Sequence, residues 1–353
     1  MLLKLAIIGC GRISEKHCET INQISDISVV ALSDISIDRM NIIKQKLNLS
    51  NNECTFFTDY EHLLNESNAE LVVIATGSGS HFEIAKAAIL AGKHTLIEKP
   101  LALSLSEASQ LHEYANKHHV HLYVCYQLRF LNSMIAIKEL IESGRLGTVF
   151  YGVCTLELNR SKEYYQGAAW RGTWEYDGGM LINQGIHLID LLLWFMGDAK
   201  EVRGELMKVE RSKETEDIAI GLVDFNSGAR GLIEANTVTK PNNYGYSLKL
   251  FGEKGSIIID GQQLEKISRF ALEEIEVSEK ELVFDKKEHV RMYRACIKAI
   301  KESQQHKSLV NGIEAQRSLE LIFGLYQSAL EKRVVDLPGL NFNLLEMKKW
   351  EVN

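Results

Sequence analysis

Proline is nearly absent from this chain: three residues in 353, with Pro100 alone among the first 240. Paired cysteines are absent too. Cys10, Cys18, Cys54, Cys125, Cys154 and Cys296 are scattered without a CxxC spacing. That excludes a disulfide framework or a cysteine zinc site and leaves buried thiols in a reducing compartment, so no metal is expected. Long hydrophobic runs are missing as well. The apolar start stops at Gly9, too short for a signal peptide or a membrane span. A cytoplasmic protein without membrane association is expected. Nor is there a basic excess: the net charge is −7 with the two signs interleaved. This excludes the electrostatic footprint of a nucleic-acid binder.

What remains is ordinary globular composition, 45% hydrophobic and 25% charged, in a chain long enough for two cores. Over residues 1–125, short apolar segments alternate with helical ones. Strands are expected at Leu3–Ile8, Ser28–Ser33, Cys54–Phe57, Leu71–Thr76, His94–Ile97 and His121–Cys125, with helices near Phe82–Ala91 and Ser104–Lys117. This rhythm predicts a parallel α/β sheet covered on both faces. The rhythm then changes. Over residues 126–353, longer alternating strands are expected at Thr148–Leu158, Glu201–Val209, Asp217–Phe225, Ala229–Thr237 and Ser247–Phe251, and Asn226-Ser227-Gly228 signals a hairpin. The prediction is an α+β domain with a large, mostly antiparallel open sheet. A helix is expected over Glu314–Lys332. An open sheet with an apolar face calls for a cover, and a partner subunit would supply one in a homodimer or homotetramer.

Gly9-Cys10-Gly11-Arg12-Ile13-Ser14 stands where the first strand turns into the first helix. Gly9 and Gly11 allow a tight turn and let backbone N–H groups approach a pyrophosphate at a helix N-terminus. Ser14 replaces the third glycine. Alone, such a turn is equally an ordinary connection. Asp34 strengthens it, because it ends the second strand, where a carboxylate can bond the ribose hydroxyls and repel a 2′-phosphate. NAD is therefore favoured over NADP.

Glu98-Lys99-Pro100 follows the fifth strand, at the end of a parallel sheet where ligands bind. A lysine there can hydrogen-bond a substrate hydroxyl or exchange a proton with it. Further on, Gly178–Phe195 is apolar nearly all round, yet Asn183, His187, Asp190 and Trp194 recur on one helical face. Buried polar side chains need partners, which a ligand cavity or a core network can supply. His187 could take the proton of a sugar hydroxyl as hydride leaves. Upstream, Arg160, Tyr164, Tyr165, Trp170, Arg171 and Trp174 cluster in a connecting segment. They suit stacking on a sugar or base and forked bonding to phosphate, or a loop that packs its own aromatics.

Together these segments resemble the Gfo/Idh/MocA family, the relatives of glucose–fructose oxidoreductase and inositol dehydrogenase. The resemblance runs through residues 9–13, 74–81, 91–102, 127–130 and 178–190. It implies a Rossmann domain, then a domain whose open sheet commonly mediates oligomer formation. It also implies that Lys99 contacts the reacting hydroxyl, that His187 is the catalytic acid/base, and that Thr76, His81, Glu98 and Gln127 lie around the nicotinamide half of the cofactor. Position 77 is Gly where relatives usually carry Pro. Position 183 is Asn where polyol-oxidising members carry Asp, so the carboxylate–imidazole pair is missing and Asn183 would orient a substrate hydroxyl. That asparagine, with residues 170–174, resembles members acting at C3 of UDP-N-acetyl sugars. The expected substrate is a sugar, nucleotide-linked as in a UDP-N-acetyl-hexosamine, held by Lys99, Arg160, Tyr165, Arg171, Asn183 and His187. The alternatives are an inositol or free-sugar dehydrogenase, or a non-catalytic NAD- or sugar-sensing regulator of the same fold.

Overall fold

The computed structural model describes residues 2–50, 53–273, 284–337 and 339–350. The chain divides into two compact units. The first comprises Met1–Ala102, Ser106–Phe130 and Lys286–Ala315, the second Leu103–Leu105, Leu131–Asp285 and Gln316–Asn353. Among the described residues no helix is long and apolar enough to cross a membrane.

The first unit is built on strands β1 (Leu3–Ile8), β2 (Ile27–Ser33), β3 (Thr55–Phe57), β4 (Leu71–Ile74), β5 (His94–Ile97) and β6 (Leu122–Val124). They pair in parallel in the order β6-β5-β4-β1-β2-β3, and Val310–Asn311 adds an antiparallel edge beside β6. Strands buried on both faces must be apolar throughout, as Leu71–Ile74 is. The order reverses between β1 and β4, and ligands of such sheets bind at that reversal.

The sequence pattern placed a single cut at residue 125, but the chain returns to the first unit. The helix Glu288–Glu302 buries Val290, Met292, Tyr293, Cys296 and Ile297 in the same core as Leu5, Leu32 and Leu71. An amphipathic pattern identifies which face of a helix is buried, not which surface it covers, so this return has no local signal. All six cysteines are free and buried.

The second unit carries β7 (Val149–Glu157), β8 (Ala199–Met207), β9 (Ile218–Phe225), β10 (Arg230–Asn236), β11 (Gly245–Gly252), β12 (Gly255–Gly261) and β13 (Lys266–Leu272). Their order is β13-β12-β11-β7-β10-β9-β8, with Val335–Asp336 at the end beside β8. Only β7 and β10 pair in parallel; the other pairs are antiparallel, and Asn226-Ser227-Gly228 turns the β9–β10 hairpin. β12 and β13 are strands beyond those expected from the sequence. Helices cover one face: Leu192 and Met196 lie over Gly152, and Leu325 lies over Gly204 and Gly221. The opposite face leaves Ile220 and Leu222 exposed.

Before the helix Ile186–Met196 the chain makes a π-helical turn, Leu181–Gly185. Its first N–H, from Leu181, donates to Glu216 Oε1 at 3.0 Å, and the Tyr326 hydroxyl donates to the same oxygen at 2.7 Å. Gly179 (φ +93°) is required beside them, since a Cβ there would lie 2.5 Å from Glu216 Oε2 and 2.4 Å from Tyr326 Oη. Burial pushes the Glu216 carboxyl up to about 7, against the attraction of Lys213 and the bonds from Tyr326 and Leu181. The folded pKa stands above the unfolded value, so folding takes up a proton between the two. The stability this group contributes is complete below about pH 4.5 and is lost as pH rises through about 7. Glu216→Gln should remove that decline, on the order of 3 kcal/mol. Calorimetric scans between about pH 5 and about pH 8 should show a flatter profile for the variant than for the wild type.

Candidate active site

In the first unit the site begins where β1 ends. Gly9 has φ +92°, and a Cβ on it would lie 2.7 Å from the Ala75 carbonyl carbon and 2.8 Å from Thr76 Cγ2, just past β4. Only glycine lets these two strand ends approach so closely. Gly11 then caps the helix Arg12–Ile21, and the side chains of Arg12 and Ile13 are exposed in its first turn. Ser14, at the third motif position, is fully buried, and its hydroxyl donates to Gly9 O at 2.5 Å. The serine closes the turn that a glycine would leave to packing alone.

Asp34 is half-buried at the end of β2. Its Oδ2 accepts Cys10 N at 2.8 Å and its Oδ1 accepts Ser36 N at 2.9 Å. Each oxygen keeps a lone pair, so the carboxylate both pins the glycine turn and can accept from ribose hydroxyls. Gln127, on the short helix after β6, has a buried Oε1 with no partner among the described residues. A buried acceptor without a donor is costly, and the carboxamide of a nicotinamide would supply one. The Gly9 cradle, the Asp34 carboxylate and Gln127 Oε1 therefore fit a bound NAD.

Thr76 and the Glu98-Lys99-Pro100 turn lie past neighbouring strands β4 and β5, and the Lys99–Pro100 peptide bond is cis. His81 joins the two turns. Its Nδ1 lies 2.7 Å from Pro100 O and its Nε2 3.2 Å from Thr76 O, and the residue is 1% exposed. Burial lowers its pKa against the pull of those two carbonyls. Its two ring nitrogens face backbone carbonyls, so His81 ties the turn after β4 to the turn after β5. Glu98 stands directly after β5. Its carboxylate turns inward, with Oε1 3.1 Å from His17 Nε2 and Oε2 accepting Lys99 N at 3.3 Å. Lys99 is half-buried at the mouth of this turn.

In the second unit, Arg160, Tyr164, Tyr165, Asp177, Met180, Asn183, Gln184, Thr215 and Thr237 line a small cavity that opens to solvent. Three of the expected substrate residues, Arg160, Tyr165 and Asn183, thus come together. Asn183 Nδ2 donates to Asp177 Oδ1 in a short bond, and Asp177 Oδ2 accepts Gly172 N at 2.7 Å. Asp177 thus holds the amide at position 183, a pairing that a separation of six residues across a Gly-Gly bend does not advertise. His187 follows half-buried on the helix. Its expected face-mates serve the scaffold instead: Asp190 accepts from Ser318 Oγ at 3.4 Å, and the carbonyl of Trp194 accepts from Lys138 at 2.7 Å.

The aromatic segment splits. Trp174 is core, packed edge-on against Tyr326 and Trp350, whereas Trp170 is exposed. Two guanidinium groups flank the Tyr164 ring, Arg160 at 5.1 Å and Arg171 at 4.5 Å. Arg160 donates to Asn159 O, Asn243 Oδ1 and Gln184 Oε1, and Arg171 donates to Tyr164 O. Every one of these acceptors is neutral. The Nε of each arginine is buried without a partner among the described residues. Arg171 is not in the cavity wall; it holds Tyr164, which is.

Comparison with known proteins agrees with this geometry. Residues 3–126 match the model of an oxidoreductase family with an NAD-binding Rossmann fold, and residues 134–258 match the Gfo/Idh/MocA C-terminal domain. The chain is 27% identical over 265 residues to myo-inositol 2-dehydrogenase of Thermotoga maritima, covering 73% of this chain and 75% of that protein. The solved structure of the WlbA dehydrogenase from Bordetella pertussis, in complex with NADH and UDP-GlcNAcA, superposes with a TM-score of 0.86 at 27% identity over 97% of this chain and 100% of that one. The corresponding WlbA complex from Chromobacterium violaceum gives 0.88 at 28% over 96% and 97%. The two family models between them span more than half of the sequence, and the chain belongs to the Gfo/Idh/MocA family of NAD-dependent oxidoreductases, acting on CH–OH groups.

Proposed function

We propose that the substrate is an anionic, nucleotide-linked sugar of the UDP-N-acetyl-hexosamine class, oxidised at the C3 hydroxyl or reduced there in reverse. The observation that carries this reading is the pair of arginines beside the cavity. Two guanidinium charges without a carboxylate partner among the described residues are poorly compensated, and a phosphate or carboxylate of the substrate would compensate them. The likeness to two structures holding UDP-GlcNAcA supports the same class.

A bound NAD would supply the acceptor for the hydride of the carbinol carbon. His187 takes the hydroxyl proton, Lys99 donates a hydrogen bond to the oxygen as it becomes a carbonyl, and Asn183, fixed by Asp177, orients a neighbouring hydroxyl. Thr76 and Gln127 serve the nicotinamide half, with Glu98 and His81 holding their turns. Inositol oxidation is the second reading, favoured by the relative from Thermotoga maritima. It requires no anion site, whereas the two arginines favour a substrate that carries a negative charge. The open face of the second sheet, with Ile220 and Leu222 exposed, suits association into a homodimer or homotetramer.

Lys99→Met should lower kcat about 100-fold or more while the affinity for NADH, read by fluorescence titration, stays within about twofold. Wild-type turnover in that variant would remove Lys99 from the chemistry. Arg160→Met should reduce kcat/KM for a UDP-N-acetyl-hexosamine about 10- to 100-fold, the worth of one or two hydrogen bonds to a charged group. Steady-state NADH absorbance on a panel of nucleotide sugars, free sugars and inositols measures both. Turnover of inositol alone, indifferent to Arg160→Met, would replace the nucleotide-sugar reading with the second one.

A further inference from the structure

Beneath the Glu98-Lys99-Pro100 turn lies a line of hydrogen-bonding groups that hydride transfer does not use. His17, on the helix Arg12–Ile21, is 1% exposed. Its Nδ1 lies 2.7 Å from the Tyr293 hydroxyl and its Nε2 3.1 Å from Glu98 Oε1, while Glu98 Oε2 accepts Lys99 N at 3.3 Å. Burial, then the neighbouring Cys125, Cys296 and Glu98, holds the Tyr293 hydroxyl well above its ordinary pKa. Tyr293 is therefore a donor to Nδ1, and the imidazole proton sits on Nε2, facing the carboxylate. Three segments meet here: the first helix, the turn after β5, and the returning helix Glu288–Glu302.

A buried pair of this kind is a poor device for stability, since well-packed apolar groups commonly serve as well or better. It is a good device for direction, because hydrogen bonds fix angle as well as distance. We infer that His17 is a positioning residue for Lys99, acting through Glu98. The imidazole fixes the carboxylate, the carboxylate fixes the Lys99 backbone N–H, and the direction of the lysine side chain follows. The helix that carries His17 begins at the glycine turn, so the diphosphate end of NAD and the Lys99 amine are both indexed to one rigid element. A displacement of about 1 Å at such a group can cost about 100-fold in rate.

The inference rests on the proposed role of Lys99, and the test separates the two. His17→Leu should lower kcat about 10- to 100-fold and shift the pH profile of kcat, with KM for NAD within about twofold, and His17→Gln, which can still donate to Glu98, should recover part of the loss. Tyr293→Phe removes only the hydroxyl that sets the imidazole tautomer. It should lower kcat severalfold with the same pH signature, and it carries the test should His17→Leu fail to fold. In a Lys99→Met background the His17 substitution should cost nothing further. If the His17 and Tyr293 variants alter only the unfolding temperature while Lys99→Met is inactive, His17 is structural and the inference is overturned. If Lys99→Met itself turns over normally, the underlying role of Lys99 falls, and the inference falls with it.

Discussion

A carboxylate taken out of water must be met by donors, and in this chain four carboxylates take theirs from backbone N–H groups of tight turns. Asp34 accepts from Cys10 in the glycine turn, Glu98 from Lys99, Asp177 from Gly172 and Glu216 from Leu181 at the start of the π-helical turn. Burying an ionised group costs several kcal/mol unless it is satisfied, so each of these turns has one arrangement that is much better than its neighbours. The result is a set of pinned loops on two sheets. Turns of this kind would otherwise be among the most mobile parts of a fold, and a dehydrogenase needs them held to within about half an ångström.

Backbone approach sets the second constraint. The Gly9 turn exists because β1 and β4 are neighbours at the reversal of strand order, and the missing side chain is what lets Thr76 come beside the glycine loop. Gly179 does the same for Glu216 and Tyr326 in the other unit. In both places a glycine sits next to a carboxylate-bonded turn. Removing the side chain opens the space, and the carboxylate then fixes how that space is filled.

Much of this was legible in the sequence because it is local. The strand periodicity, the Gly9–Gly11 turn, the acidic end of β2 and the hairpin at Gly228 are each written within a few residues. The remainder was not. The return of Glu288–Glu302 to the first core, the service of Asp177 to Asn183, and the inward turn of Glu98 toward His17 each join positions whose spacing carries no period. His81 shows the limit from the other side. Its place in a motif marked it out as a site residue, yet only the contacts of its two ring nitrogens show that it ties two turns together. Likewise Asp190 and Trp194 shared a helical face with His187, but a common face is a direction, not a common task.

Charge is the last step. The whole chain carries a net −7, which would repel a nucleotide sugar at long range. Screening removes most of that repulsion beyond about 8–10 Å at physiological ionic strength. What an anion meets close to the cavity is set by the groups there, and those include two guanidiniums bonded to neutral amide and carbonyl oxygens and stacked on one tyrosine ring. Had either arginine been paired with Asp177, which instead holds Asn183 and the Gly172 N–H, the local charge would be spent within the protein. A neutral polyol gains little from such a surface, whereas a phosphate or carboxylate gains charge-assisted hydrogen bonds in a partly dry cavity. On the proposed reading, the selectivity of the site depends on which partners its arginines lack.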